Sequence, residues 1–179
     1  MQEVSFQVMK LDEVCEIVRG QRAVSVEGGK VPVYGAGKKP TKFTDRANTQ
    51  AGSIRVTSKA TLGNVYLHSE PFWAEETCLV IKAKEDIILS MYLYHWLKSN
   101  RVLIQTLKRG ETIPSLDLEK FRALPIEIPS LAYQYEVCFF LGQLAVEVAD
   151  LILQADLERK RASATSEKFY EKLGGHHDI

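Results

Sequence analysis

The sequence predicts an α+β protein: an irregular, β-rich head over residues 1–130, then one long α-helix over 131–173 that forms a coiled coil, then a disordered tail over 174–179. Three observations predict it. Short β-prone runs between Val31 and Ala83 alternate with glycine and proline punctuation. A segment bracketed by Pro125 and Pro129 cannot be helical. Beyond it, Leu131 to Leu173 holds no proline and only one interior glycine, Gly142. A chain of 179 residues is long enough to bury one sizeable core.

The elements follow in order. Leu11, Val14, Cys15 and Val18 fall at helical spacing, so Val8–Val18 reads as a short amphipathic helix or turn stopped at Gly20. Strands are expected at Val31–Tyr34, Ser53–Thr57, Asn64–His68 and Thr77–Ala83, separated by turns bearing Gly35, Gly37, Gly52, Gly63 and Pro71. Ser90–Lys108 carries Met91, Leu93, Tyr94, Leu97, Leu103 and Leu107 on one helical face, with Gly110 as the stop. Ser115 is placed to cap a helical turn reaching Lys120, and Leu124–Pro129 should run extended. Ser130 stands at the N-cap of the long helix. Val137, Leu141, Leu144, Val148, Leu151 and Ala155 alternate steps of four and three, which aligns them as a seam for a partner helix. The seam weakens over Arg159–Ser166, so two shorter helices folded back on the head are the alternative.

Composition excludes several classes. Net charge is zero, but residues 1–130 hold 18 Lys/Arg against 15 Asp/Glu, and Lys38–Lys59 holds six basic residues against the single acid Asp45. A local basic stretch binds phosphate even where the whole chain is neutral. Cys15, Cys78 and Cys138 form no CxxC pair, which argues against a cysteine zinc site and suits a reducing cytoplasm. No apolar run approaches the roughly 20 residues that cross a bilayer, and Met1–Lys10 lacks the pattern of a signal peptide.

Motifs point away from catalysis. Gly35-Ala36-Gly37-Lys38-Lys39 resembles a phosphate loop, but Pro32 stands where the first glycine belongs and Lys39 where Ser/Thr should follow. There is no Gly-x-Ser-x-Gly elbow, no dinucleotide fingerprint and no Asn/Asp/Ser-Pro-Pro-aromatic methyltransferase motif. His68, Glu70, Glu75 and Glu76 would serve a magnesium-dependent nuclease only if Pro71-Phe72-Trp73 let them converge. A binding module is the default, with a coiled-coil protein-interaction module as its rival. Lys38, Lys39, Lys42, Arg46 and Lys59, with a second basic loop at Lys108 and Arg109, suit phosphate contacts. Thr41, Asn64 and Tyr66 offer hydrogen-bonding groups for base edges.

Several segments together resemble one family. They are Lys10–Val14 with Gly20, Val31–Gly37, Ile54–Tyr66 with Pro71–Ala74, and Gly110–Leu116 followed by Leu124–Ile126 and Ile128–Leu131 with Gln134. Their order and spacing resemble the target recognition domain of type I restriction-modification specificity subunits, together with the helix that follows it. The resemblance implies that the head reads half of a bipartite site on double-stranded DNA and that the helix acts as spacer and docking surface. It implies that methylation and cleavage belong to separate modification and restriction subunits. S-adenosylmethionine and ATP would be their ligands, and this chain would carry no cofactor. Complete specificity subunits hold two such units; this chain holds one, so the expectation is a homodimer through the helix.

Overall fold

A computed structural model describes residues 4–112 and 114–174, with side-chain surroundings through Lys168. Ile113 and the tail expected to be disordered beyond Gly174 lie outside the described residues. The chain divides into two compact units, Met1–Glu136 and Val137–Ile179.

The first unit opens differently from the sequence reading. Of the helix or turn expected over Val8–Val18 only a single turn α1 (Leu11–Val14) forms, between strand β1 (Gln7–Lys10) and strand β2 (Cys15–Arg19). The apolar spacing supports both periods. Tertiary pairing decides: Cys15 and Ile17 are buried while Glu16 and Val18 are exposed, an alternation of two set by the antiparallel partner β8 (Cys78–Ala83). Gly20 ends β2 where a Cβ would lie 2.1 Å from the Glu75 carbonyl oxygen, so no side chain fits there.

The central sheet has the order β2-β8-β5-β6, all antiparallel, with β5 at Ile54–Thr57 and β6 at Val65–Leu67. A second sheet of three strands places β3 (Val31–Tyr34) between antiparallel β4 (Lys42–Thr44) and parallel β7 (Trp73–Ala74). Ile54, Val56 and Ile81 join a core with Leu11, Leu93, Leu97, Ile104, Phe121 and Ile126, each without exposed surface. Side chains alternate along a strand, and Arg55 points the other way, toward Tyr34 of the second sheet and Gly35 just beyond it.

The helix expected over Ser90–Lys108 is broken in two, α2 (Ser90–Ser99) and α3 (Arg101–Thr106). Asn100 makes the break, its backbone and side-chain amides both donating to the Trp96 carbonyl oxygen at 3.0 and 2.9 Å. Lys108 and Arg109 then form β9, paired antiparallel with β10 (Ser115–Leu116). Because Ser115 is held in that strand, it cannot cap a helix. Asp117 takes the role for α4 (Leu118–Arg122), accepting from the Lys120 amide at 3.3 Å. The proline-bracketed segment is extended, as its chemistry requires: β11 (Pro125–Ile128) pairs with β1 from Gln7↔Ile128 to Lys10↔Pro125.

Helix α5 runs from Leu131 to Gly174 without interruption through Arg159–Ser166, about 66 Å at roughly 1.5 Å per residue. The Ser130 hydroxyl accepts from the Tyr133 amide at 3.3 Å, the N-cap expected of it. The compact first unit extends six residues into this helix, and Gln134 shows why. Its side chain is fully buried; its Oε1 accepts from the Leu89 amide at 2.9 Å, and its Nε2 donates to the Ile87 and Pro129 carbonyls, each at 3.0 Å. One amide thus satisfies a donor and two acceptors that would otherwise be stranded.

Candidate nucleic-acid interface

The polar residues selected from the sequence fall into separate groups on the first unit. Lys38, Lys39 and Thr41 lie on the exposed loop between β3 and β4, which Thr41 closes by donating to the Val33 carbonyl from its amide (2.9 Å) and hydroxyl (3.3 Å). Lys38 and Lys39 are solvated and face no acid within ion-pair range among the described residues. Lys42 differs. Its ammonium lies 2.8 Å from the Glu75 carboxylate and donates to the Ala23 carbonyl at 2.9 Å, so it clasps the N-terminal loop to the second sheet. Arg46 is exposed beyond the end of β4, at the opposite end of the hairpin from Lys38.

Asn64 and Tyr66 lie together at the turn into β6, where they line a shallow cleft of about 130 Å³ with Val65, Lys98 and Arg101. The turn is built by Thr57, whose hydroxyl donates to the Thr61 carbonyl and accepts from the Asn64 amide at 2.9 Å. Gly63 adopts φ +74°, a left-handed conformation that favours glycine. Lys98 and Arg101 were not selected from the sequence, because they stand on helices more than thirty residues away and only the fold brings them beside Asn64.

Arg55, one of the six basic residues of Lys38–Lys59, is fully buried. Its guanidinium is sandwiched by the rings of Tyr66 at 4.1 Å and Tyr34 at 4.9 Å, and donates to the Gly35 carbonyl and, at 3.2 Å, to His68 Nε2. No carboxylate pairs with it, and its Nη2 has no hydrogen-bond partner among the described residues. The aromatic faces provide the electrostatic compensation that an acid would otherwise give. The consequence is local order: Arg55 anchors the first residue of the loop that carries Lys38 and Lys39. Tyr66 gives one face of its ring to Arg55 and is half-buried, which leaves its edge to the cleft. No sequence signal separates Arg55 from its exposed neighbours, since its partners are 11 to 21 residues away.

The nuclease alternative finds no support in the placement of its residues. Glu75 is occupied by Lys42 and by the Ala23 amide at 3.4 Å, while His68 stacks on Phe72 with ring centroids 3.9 Å apart. Among the described residues no group of three or more His, Cys, Asp or Glu could hold a metal ion. Cys15, Cys78 and Cys138 are free thiols. Among the described residues no helix is long and apolar enough to cross a membrane.

A β-rich head with a long following helix is the architecture of type I specificity subunits. An S subunit of a type I restriction-modification system from M. genitalium superposes with a TM-score of 0.73 at 20% identity, covering 89% of this chain and 44% of that one. The HsdS subunit from Thermoanaerobacter tengcongensis gives a TM-score of 0.66 at 19% identity, covering 82% and 39%. A structure described for complex assembly and conformational transition of the type I R-M system gives 0.66 at 20% identity, covering 94% and 43%. The chain therefore spans less than half the length of these structures, and at such identities the likeness is one of fold. No curated protein matches the sequence significantly. The family model for the type I restriction modification DNA specificity domain matches residues 3–151, and the chain belongs to that family.

Proposed function

We propose that this chain is a non-catalytic, sequence-specific DNA-reading subunit of a type I restriction-modification complex, active as a homodimer. The family match over residues 3–151 carries the DNA-reading part. Exposed Lys38, Lys39, Arg46, Lys108 and Arg109 hold the phosphate backbone, with Lys59 at their side. Thr41, Asn64 and the Tyr66 edge address bases. Lys42, bound to Glu75, contributes to the shape of the surface more than to its charge.

Dimerisation is supported by the state of α5. Leu144, Val148 and Leu151 keep 45%, 46% and 59% of their surface, Ala155 is exposed, and Val137 and Leu141 are half-buried. Apolar side chains at that spacing call for a second helix. The related structures are more than twice as long as the part this chain matches, which fits a twofold pair replacing two units in one chain. Such a pair reads an interrupted palindrome and docks the modification and restriction subunits, which supply the chemistry and its cofactors. In the cell this takes place in the cytoplasm.

Light scattering at micromolar concentration should give twice the mass of one chain, and Val148→Glu should return it to that of a monomer. Co-expression with a cognate modification subunit, followed by mapping of methylated genomic sites, should give a two-part palindrome. A lone half-site in that map would exclude the symmetric dimer.

A further inference from the structure

A second cationic surface arises only on folding. Arg19 ends β2, Arg109 lies in β9 and Arg122 ends α4, so 103 residues separate the first from the last. All three line one open cleft of about 470 Å³ together with Ser115, Leu116, Leu118 and Glu119. Two of the guanidinium groups are held in place. Arg122 donates to the Ile17 carbonyl at 3.1 Å, and Arg109 Nε lies 3.7 Å from the Asp117 carboxylate. An isolated bridge joins Lys59 to Ser115, and Ser115 pairs with Arg109. The two basic stretches that stand fifty residues apart in the sequence therefore meet at one edge, beside Lys108 on the same short ribbon.

We propose that Arg19, Arg109 and Arg122 form a clamp for the phosphodiester backbone of duplex DNA, continued along the edge by Lys59 and Lys108. Three guanidinium groups in one concave site, against Glu119 and Asp117, leave an excess of positive charge. The planar forked donors of arginine match the oxygens of a phosphate. The lining also favours nucleic acid over a protein partner. Its only apolar members are Leu116, which is buried, and Leu118, and it has no aromatic lining, whereas the centres of protein interfaces are rich in aromatic groups. Surfaces for DNA are polar and strongly positive. The clamp rests on the DNA-reading function proposed above and adds contacts that carry no sequence information, which fix the register of the head on the duplex.

The test is the salt dependence of binding of the whole chain to a mixed-sequence 30-base-pair duplex between about 50 and 200 mM salt. Arg19→Gln should lower the slope of log Kobs against log salt by about 0.9, the value for one lost phosphate contact, and the triple Arg-to-Gln variant by about two to three times that. Lost affinity should be equal for all duplex sequences. The Arg19 side chain makes no hydrogen bond or ion pair among the described residues, and its backbone pairing with Leu79 is kept in Arg19→Gln, so the single variant decides the matter if the triple variant melts early. A wild-type chain that binds with a steep slope unchanged in both variants overturns the clamp and leaves DNA reading intact. A wild-type chain that does not bind duplex at 50 mM salt overturns both. Retention on polyglutamate that Arg19→Gln abolishes, with an unchanged duplex slope, assigns the cleft to an acidic protein and also overturns the clamp.

Discussion

In the head Phe121, Ile81 and Leu97 have at most traces of exposed surface, whereas Phe139, Phe140, Val148 and Leu151 of α5 keep between 46% and 65% of theirs. The two regions hold similar apolar side chains and differ in where their partners come from. The head finds them within itself, from strands and helices up to a hundred residues apart. Beyond Glu136 the helix leaves them to solvent in the single chain, and a helix gains most of its stability from packing such a face. The head thus buries its apolar side chains within itself, whereas the exposed apolar side chains of α5 are those proposed above to meet a second helix.

The largest effect that can break this comparison is a core truncation. Phe121 on α4 is fully buried in the main core, and Phe121→Ala should cost about 3–5 kcal/mol in urea unfolding of the head. Phe139→Ala, at 60% exposure, should leave the same transition within about 0.5 kcal/mol. Equal losses in the two variants would mean that the helix residues are part of the head's own core.

A smaller effect sharpens where one region gives way to the other. Gln134 lies on α5 yet satisfies groups of the head, accepting from Leu89 and donating to Ile87 and Pro129. Gln134→Ala leaves buried polar groups of the main chain unpaired, and should cost about 1–3 kcal/mol of head stability. Tyr135→Ala, one residue on and 68% exposed, is the matched control and should cost little. If the two lose equally, the unit ends before the helix begins.

How far these regions could be read in advance follows from the range of their interactions. The long helix was legible because its evidence is local: no proline, a serine cap and a steady apolar spacing. Three of the four strands of the central sheet, β5, β6 and β8, were legible from β-prone runs between turn residues. Strands β1 and β2 were not, since Leu11–Val18 fits a period of 3.6 as well as it fits a turn and a strand, and the partners that decide are residues 79–83 and 125–128. The same holds for the interface. Lys38 and Lys39 stand on a glycine loop that local chemistry reveals. The cleft beside Asn64, the burial of Arg55 and the approach of Lys59 to Arg109 come from contacts across 11 to 50 residues, which composition and spacing do not encode.

A further expected effect is a pH dependence that belongs to the head and not to the helix. Burial lowers the His68 pKa to about 4, with the Arg55 charge adding to the same direction. The geometry agrees, because Arg55 Nε donates to His68 Nε2, which accepts only when that nitrogen carries no proton. The unfolded chain takes up this proton near the ordinary value of about 6.5, while the folded head resists until about 4. Between those limits the unfolded state binds more protons, so this contribution to stability is complete above pH 6.5 and declines as the pH falls toward 4. His68→Gln should remove that part of the slope of unfolding free energy against pH. Arg55→Met should move the low-pH end of the decline only slightly upward, because burial, the larger cause, remains. A slope unchanged in His68→Gln would mean that His68 is not held neutral by the fold, and the coupling between Arg55 and the loop bearing Lys38 would lose its second anchor.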